Sequence, residues 1–262
     1  LGGELELLIS GSAALQPRLT RVFTAANIPV MEGYGLTETS PVISVNDMRN
    51  AGFKIGTVGK VLDGCEVKIA ADGEILCKGP NVMMGYYKDE KETNDAIKNG
   101  YFHTGDIGEI DAAGFLKITD RKKEMFKTSG GKYVAPQLLE STFKQSRFIE
   151  QIMVIGEGEK MPAAFVQPNF EFVRDWAKLK LKIIENSSNE ELCNNPDVIK
   201  RIQEEIEHYN EKFGNWEKVK RFELTPEVWT VEDGHLTPTM KLKRKIIKEK
   251  YINLYHKIYE QQ

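Results

Sequence analysis

Residues 5–35 read LELLISGSAALQPRLTRVFTAANIPVMEGYG, and this stretch decides the fold class. LELLIS is an apolar run of the kind found in buried strands of a sheet. QPRLTRVFTAAN is an amphipathic helical segment with Pro17 near its start, and IPVMEGYG returns to extended structure. A strand, a helix and a second strand in this order predict the end of a helix-covered parallel α/β sheet. Because the chain opens on the first strand without a methionine, we expect a carboxy-terminal portion of a longer protein.

Between Gly56 and Asp120 the sequence pattern changes. The short segments CEVKIA, GEILCKG, IGEID and FLKITD are separated by ADG and DAAG turns. Short alternating runs joined by such turns predict an antiparallel meander or a small β-barrel-like sheet. We therefore expect residues 1–120 to be the end of one large domain, with the meander at 56–120.

A second pattern begins at the charged segment DRKKEMFKTSGGKYVAP. Beyond it, PQLLESTFKQ predicts a helix, and IEQIMVIG, AAFVQP and VKRFELTP predict strands. Two further helices are expected near Phe170–Ile184 and Pro196–Phe213, and one long helix closes the chain. This alternation predicts a separate small α+β domain over residues 121–262, joined by a hinge at 120–123.

Composition narrows the class of protein. With 40% hydrophobic and 29% charged residues the chain is typical of a soluble globular protein, and its net charge of −3 argues against a nucleic-acid partner. Three cysteines without metal-ligand spacing predict reduced thiols and a cytoplasmic location. The closing basic helix leaves two alternatives open: its apolar stripe packs on its own domain, or it lies on anionic lipid as a weak peripheral attachment. The oligomeric state is not decided by the sequence.

The segment MEGYGLTETSP combines glycines, an aromatic ring, hydroxyls and one carboxylate. Gly33 and Gly35 would let Tyr34 lie flat against a ring. Thr37 can donate a hydrogen bond to a phosphate oxygen, and Glu38 offers a hard oxygen of the kind that Mg²⁺ takes beside a nucleotide phosphate. A plain surface loop is the alternative for these residues taken alone, whereas a nucleotide site would use all of them.

Two other segments offer polar or small residues at turns. Gly11, Ser12 and Ala13 follow the first strand directly, where α/β folds bind ligands, although an ordinary turn is the alternative. Asp106 follows the Thr-Gly turn of YFHTGDIG and could accept two hydrogen bonds from the vicinal hydroxyls of a ribose. The alternative for Asp106 is an aspartate that stabilises its own turn.

Two basic segments supply the remaining candidate site residues. Arg121 opens a basic triplet after the meander, and such triplets usually form a solvated face. Lys241, in LTPTMKLKRK, could present a compact positive charge to a reacting α-phosphate. Its basic neighbours leave a second reading open, in which it belongs to the first turn of an amphipathic helix.

Taken in order, GYGLTE, GEILCKGPNVMMGYY, YFHTGDIG, DRKKEMFKTSGGKYVAP and LTPTMKLKR resemble successive core motifs of the adenylate-forming superfamily. That superfamily contains acyl-CoA synthetases, luciferases and peptide-synthetase adenylation domains. KTSGGKYVAPQLLE and LTPTMKLKRK look most similar to its long-chain fatty acid–CoA ligase branch. The resemblance implies an enzyme that converts a fatty acid and Mg²⁺-bound ATP to acyl-AMP and pyrophosphate, and then transfers the acyl group to coenzyme A.

The resemblance also implies roles for single residues. The binding residues it implies are Gly11, Ser12 and Ala13 on the adenine and acyl side, Gly33, Tyr34 and Gly35 at the adenine, Asp106 and Arg121 at the ribose, and Gly130 or Gly131 at the pantetheine. The catalytic residues it implies are Thr37 at a phosphate, Glu38 on Mg²⁺ and Lys241 in adenylation, with Lys123 as the hinge.

One family element has no counterpart in this sequence. The Gly-, Ser- and Thr-rich phosphate loop of the family lies well before GYGLTE, and nothing that precedes Gly11 resembles it. Because such a loop supplies backbone N–H groups to the phosphates, we expect the 262 residues alone to be inactive. The acyl chain length is not decided by the sequence. The alternatives are a ligase for another carboxylate or for acyl carrier protein, or a non-catalytic nucleotide-binding or interaction module.

Overall fold

The computed structural model describes residues 2–49, 52–181 and 187–260. The chain divides into two units, Leu1–Lys123 and Glu124–Gln262, each with its own internal packing. The identification of these units as an adenylating domain and a mobile domain stays a prediction.

The first unit begins with a small mixed sheet. Its strands follow one another in the order β1 (Leu8–Ser10), β2 (Val30–Gly35), β3 (Val42–Val45) and β4 (Lys60–Val61). Helix α1 (Pro17–Ala25) connects β1 to β2, which pair in parallel, as the predicted strand–helix–strand unit requires. The sheet then continues with antiparallel pairs, because the connection from β2 to β3 is too short for a parallel crossover.

The meander forms a five-stranded antiparallel sheet. It contains β5 (Glu66–Ile69), β6 (Glu74–Lys78), β7 (Ile97–Lys98), β8 (Tyr101–Ile110) and β9 (Leu116–Arg121), with helix α2 (Glu90–Ala96) before β7. The ten-residue β8 is long enough to pair with β6 along one side and with β7 and β9 in succession along the other. Of the two predicted shapes, the antiparallel meander is confirmed: the five strands form an open sheet and not a small barrel.

The second unit is built on a three-stranded sheet. This sheet consists of β12 (Ile149–Ile155), β13 (Ala163–Pro168) and β14 (Arg221–Leu224). Two short strands that precede it, β10 (Phe126–Lys127) and β11 (Tyr133–Val134), form a separate hairpin. The helices of this unit are α3 (Pro136–Phe143), α4 (Phe170–Leu181), α5 (Asn189–Asn194), α6 (Pro196–Asn210), α7 (Arg244–Lys250) and α8 (Ile252–Glu260).

Both faces of this sheet are covered by helices. Along β12, Ile152 and Val154 pack in one buried cluster, whereas Met153 and Ile155 pack in a second. Successive side chains of a strand point to opposite faces, so the two clusters are the two sides of the sheet. Helices α3, α4 and α6 contribute to the first cluster, and α7 and α8 to the second. The predicted small α+β fold is therefore confirmed.

One helix prediction is wrong, one helix was not predicted, and one predicted helix is described only in part. The single closing helix is wrong: α7 and α8 are separated at Tyr251, whose backbone leaves the helical region (φ −102°, ψ 30°). Helix α5 was not predicted, although Ser188 and Glu191 form a capping box at its start. The predicted helix Phe170–Ile184 is present to Leu181, and its last residues lie outside the described part of the chain.

The apolar stripe of the closing helices packs on its own unit. Ile247 and Ile258 are buried in the second cluster, while Ile246 and Ile252 remain exposed. Intramolecular packing therefore accounts for the buried part of the stripe, and the peripheral attachment to lipid stays a prediction. Among the described residues, every helix is too short or too polar to cross a bilayer.

Candidate functional site

Three of the sequence-predicted residues meet in the first unit. The Tyr34 hydroxyl donates a hydrogen bond to Asp106 Oδ2 at 2.8 Å. Arg121 Nε lies 3.3 Å from the other carboxylate oxygen, Oδ1. Asp106 is 5% exposed, whereas the Arg121 side chain is about half exposed. A buried carboxylate is thus held between a phenol and a guanidinium that reaches solvent.

The strand pairing explains this arrangement. Asp106 on β8 and Arg121 on β9 are direct cross-strand partners, and Tyr34 comes from the neighbouring sheet. Burial raises the pKa of Tyr34, and the negative charge of Asp106 raises it further. The phenol therefore stays protonated and acts as a donor. Tyr34 is 8% exposed and packs in the core of the first unit, so little of its ring faces solvent.

The glycines around Tyr34 are not equivalent. A Cβ on Gly35 would lie 1.6 Å from the Pro41 carbonyl oxygen, so that close backbone packing alone requires glycine there. A Cβ on Gly33 would only touch Ser44 and Val45 at 3.6 Å.

Gly11, Ser12 and Ala13 are all exposed directly after β1, and a Cβ on Gly11 would approach the Gly33 carbonyl oxygen at 4.0 Å. Of the predicted segments, GSAAL and GYG therefore lie side by side.

Glu38 lies on a single turn of 3₁₀ helix (Thr37–Thr39) that follows β2. Its Oε1 accepts a hydrogen bond from the Tyr86 hydroxyl at 3.0 Å, and its carbonyl accepts one from the Met83 N–H at 2.8 Å. Glu38 is half-buried and Thr37 is exposed. Tyr86, which the sequence reasoning missed, lies in GPNVMMGYY, one of the segments that carry the family resemblance.

The residues present are compatible with a magnesium ion that is shared with a substrate. Mg²⁺ is usually held by one or two carboxylates, several waters and substrate phosphates. Among the described residues, Glu38 Oε2 accepts no hydrogen bond, and no group of three or more His, Cys, Asp or Glu side chains forms a cage. Glu38 therefore fits a site that is completed by phosphate oxygens rather than an all-protein site.

The other predicted site residues belong to exposed turns. Gly130 and Gly131 form the turn between β10 and β11, which is closed by the Thr128 N–H to Lys132 carbonyl bond at 3.0 Å. Gly131 has φ +74° and faces open space. Lys123 is exposed in the turn that follows β9.

Lys241 lies in a loop of the second unit rather than in the first turn of a helix. The Thr237 N–H donates to the Lys241 carbonyl at 2.8 Å, and the Lys241 N–H donates to Thr237 Oγ1 at 3.0 Å. Helix α7 begins only at Arg244, whose guanidinium donates to Glu140 and to the Val154 carbonyl. The Lys241 backbone is therefore fixed while its side chain projects into solvent.

His235 lies two residues before this loop and is 1% exposed. Burial lowers its pKa from 6.5, and the charge of Lys250, 3.1 Å from Nε2, lowers it further, against the opposing charges of Glu227 and Asp233. The unfolded chain protonates this histidine below about pH 6.5, while the folded chain resists protonation. Stability should therefore decrease as the pH falls below that value.

This expectation can be checked by urea unfolding at about pH 7 and about pH 5. The drop in midpoint should be smaller in His235→Asn than in the wild type. The exposed His256 provides the control, and His256→Asn should keep the full drop. Equal drops in the wild type and His235→Asn would exclude His235 as the source.

Comparison with known proteins matches both parts of the chain. Residues 1–87 match the family described as AMP-binding enzyme, and residues 124–262 match the AMP-binding enzyme C-terminal domain. The chain is 37% identical to the long-chain-fatty-acid–CoA ligase FadD15 of Mycobacterium bovis over 262 residues, all of this chain and 43% of that protein. It is 38% identical to long-chain-fatty-acid–CoA ligase 1 of Cavia porcellus, over 93% of this chain and 36% of that protein. The chain therefore spans less than half the length of these relatives.

Solved structures show the same fold. The o-succinylbenzoate CoA synthetase of Bacillus subtilis, in complex with its acyl-adenylate, matches 95% of this chain and 47% of its own with a TM-score of 0.67 at 24% identity. The anthranilate CoA ligase AuaEII, in complex with anthranoyl-AMP, matches 93% of this chain and 44% of its own with a TM-score of 0.69 at 22% identity.

Proposed function

Because the chain belongs to the family of AMP-binding enzymes, we propose that it forms the carboxy-terminal part of an ATP-dependent long-chain fatty acid–CoA ligase. The Asp106 carboxylate, held between Tyr34 and Arg121, is the observation that carries this proposal. A fixed anionic acceptor is suited to the vicinal hydroxyls of a ribose. The identity to named long-chain-fatty-acid–CoA ligases supports the substrate class.

In the first step, the fatty acid carboxylate would attack the α-phosphate of ATP and release pyrophosphate. Asp106 and Arg121 would hold the ribose, with Tyr34, Gly33 and Gly35 at the adenine and Gly11, Ser12 and Ala13 beside the adenine and acyl group. Thr37 would donate to a phosphate oxygen. Glu38 would hold Mg²⁺, which supplies charge neutralisation at the phosphates. Lys241 would stabilise the charge that builds at the α-phosphate in the transition state.

In the second step, the coenzyme A thiol would displace AMP to give the thioester. The exposed turn at Gly130 and Gly131 would line the path of the pantetheine. We further propose Lys123 as the hinge that separates the two steps, because a pivot needs a few backbone residues that can change their dihedral angles. Free thiols at Cys65, Cys77 and Cys193 support a cytoplasmic location, with any membrane association peripheral.

The test uses the full-length protein that contains this chain. We expect pyrophosphate–ATP exchange that depends on hexadecanoate, and acyl-CoA formation once coenzyme A is added. A panel of short-chain and aromatic acids, and acyl carrier protein in place of coenzyme A, separates this function from the related ligases. Without any exchange, the protein would be a non-catalytic module. The 262 residues alone should show no exchange, and exchange at the full-length rate would contradict the proposed need for upstream residues.

A further inference from the structure

The strand that carries Asp106 is irregular just before that residue. Between β6 and β8, Glu74 pairs with Ile107 while Leu76 pairs with His103. Two steps along β6 therefore correspond to four steps along β8, and β8 bulges immediately before and at Asp106. Bulges of this kind redirect side chains and are frequent beside active sites. The direction of Asp106 therefore depends on what fixes the bulge.

Gly105 is the residue of the bulge whose backbone conformation has to be held in place. It has φ +72°, in the left-handed region that favours glycine. Its N–H donates to Glu74 Oε1 at 3.0 Å, and its carbonyl accepts the Lys122 N–H at 2.8 Å. Gly105 directly precedes Asp106, and Lys122 directly follows Arg121. These two bonds thus tie together the backbone beside both proposed ribose ligands.

The second carboxylate oxygen of Glu74 makes further contacts at the same place. Glu74 Oε2 accepts from Lys122 Nζ at 2.8 Å and lies 3.0 Å from His103 Nδ1, and its side chain is 5% exposed. Burial alone would raise the pKa of Glu74, but the bonds from Lys122, His103 and a backbone N–H outweigh it and lower the pKa below its ordinary value. Glu74 is therefore a buried, ionised side chain that is paired on both oxygens.

We infer that Glu74 is a positioning residue of the proposed nucleotide site. Its carboxylate holds the residue that precedes Asp106 and the residue that follows Arg121, and so orients both side chains toward the ribose hydroxyls. Its effect is exerted through these two neighbours, by the bond from the Gly105 N–H and the bond from the Lys122 ammonium. The inference rests on the proposed ribose-binding role of Asp106.

The test compares the affinity of the full-length protein for AMP and for 2′,3′-dideoxy-AMP by calorimetry. The analogue lacks both ribose hydroxyls, so the ratio of the two affinities measures how well the ribose ligands are placed. The wild type should prefer AMP by about 100-fold. Glu74→Ala should reduce this preference to about 10-fold or less. Because this preference is a ratio of two affinities, a reduced fraction of folded protein does not change the preference.

Two further variants keep the result interpretable. Asp72→Asn removes the negative charge of the second, surface carboxylate that pairs with Lys122, but leaves Glu74 in place. This variant should keep the wild-type preference. Glu74→Gln retains an oxygen for the Gly105 N–H and should show an intermediate preference, which serves if the alanine variant does not fold. A wild-type preference in both Glu74 variants would reduce Glu74 to a structural residue and overturn the inference.

The proposed function fails separately. If the wild type prefers AMP over the analogue but exchanges no pyrophosphate with any fatty acid, the ligase proposal falls while the Glu74 comparison still decides the inference. If the wild type binds both compounds equally, Asp106 does not bind a ribose, and the inference about Glu74 falls with it.

Discussion

Replacement of Lys241 by alanine in the full-length protein is expected to lower the rate of acyl-AMP formation by about 10²- to 10³-fold or more. The proposed role of this lysine is confined to the transition state of adenylation, in which negative charge accumulates around the α-phosphate. Thioester formation from supplied acyl-AMP should stay close to the wild-type rate, because that step releases AMP without the lysine. The two half-reactions, measured separately by pyrophosphate exchange and by thioester formation, check this difference.

The structure favours a clean result for this substitution. The Lys241 backbone is bonded to the Thr237 N–H and to the Thr237 hydroxyl, and the Lys241 side chain is exposed, so alanine should not disturb the fold. Lys245 is a matched control, since its side chain is 89% exposed four residues later. Lys245→Ala should leave both half-reactions unchanged. A loss of equal size in both half-reactions of Lys241→Ala would contradict a role confined to adenylation.

Local patterns were sufficient where the structure follows local rules. Pro17 at the start of an amphipathic segment predicts α1, and the short, largely apolar runs of β12 and β13 predict strands of the second unit. The closing helix shows where such patterns fail. No glycine or proline marks its interruption at Tyr251, whose ring packs 5.8 Å from Phe165 and 6.2 Å from Trp229 between centroids. The helix break therefore coincides with tertiary packing of Tyr251, and local propensity does not explain it.

The candidate site depends even more on tertiary structure. Tyr34 and Asp106 are 72 residues apart in the chain, and their hydrogen bond follows from the packing of two sheets. The sequence points to each residue singly, through turn chemistry and family resemblance, but not to the contact. Glu74 was not singled out at all, because a glutamate after an Asp-Gly turn has the pattern of a solvated hairpin. It is buried beside the bulge in β8, and strand periodicity reveals neither the bulge nor the burial.

Asp106→Asn in the full-length protein should raise the KM for ATP and the Kd for AMP by about 10- to 100-fold. A neutral amide loses the charge-assisted bonds to the ribose hydroxyls and the attraction to Arg121. Because the ribose is not altered in the reaction, these bonds stabilise the ground state and the transition state alike, and kcat should change little. Asparagine still offers an oxygen to the Tyr34 hydroxyl, so the fold should be retained.

The measurement is initial rates at varied ATP together with equilibrium binding of AMP. Asp111 provides the control, because Asp111→Asn removes a carboxylate from the turn that joins β8 to β9 while its amide oxygen can still accept the Ala113 and Phe115 N–H groups. That variant should keep the wild-type KM. A fall in kcat at constant KM would assign Asp106 to the chemical step, whereas unchanged KM, kcat and Kd would remove it from the nucleotide site.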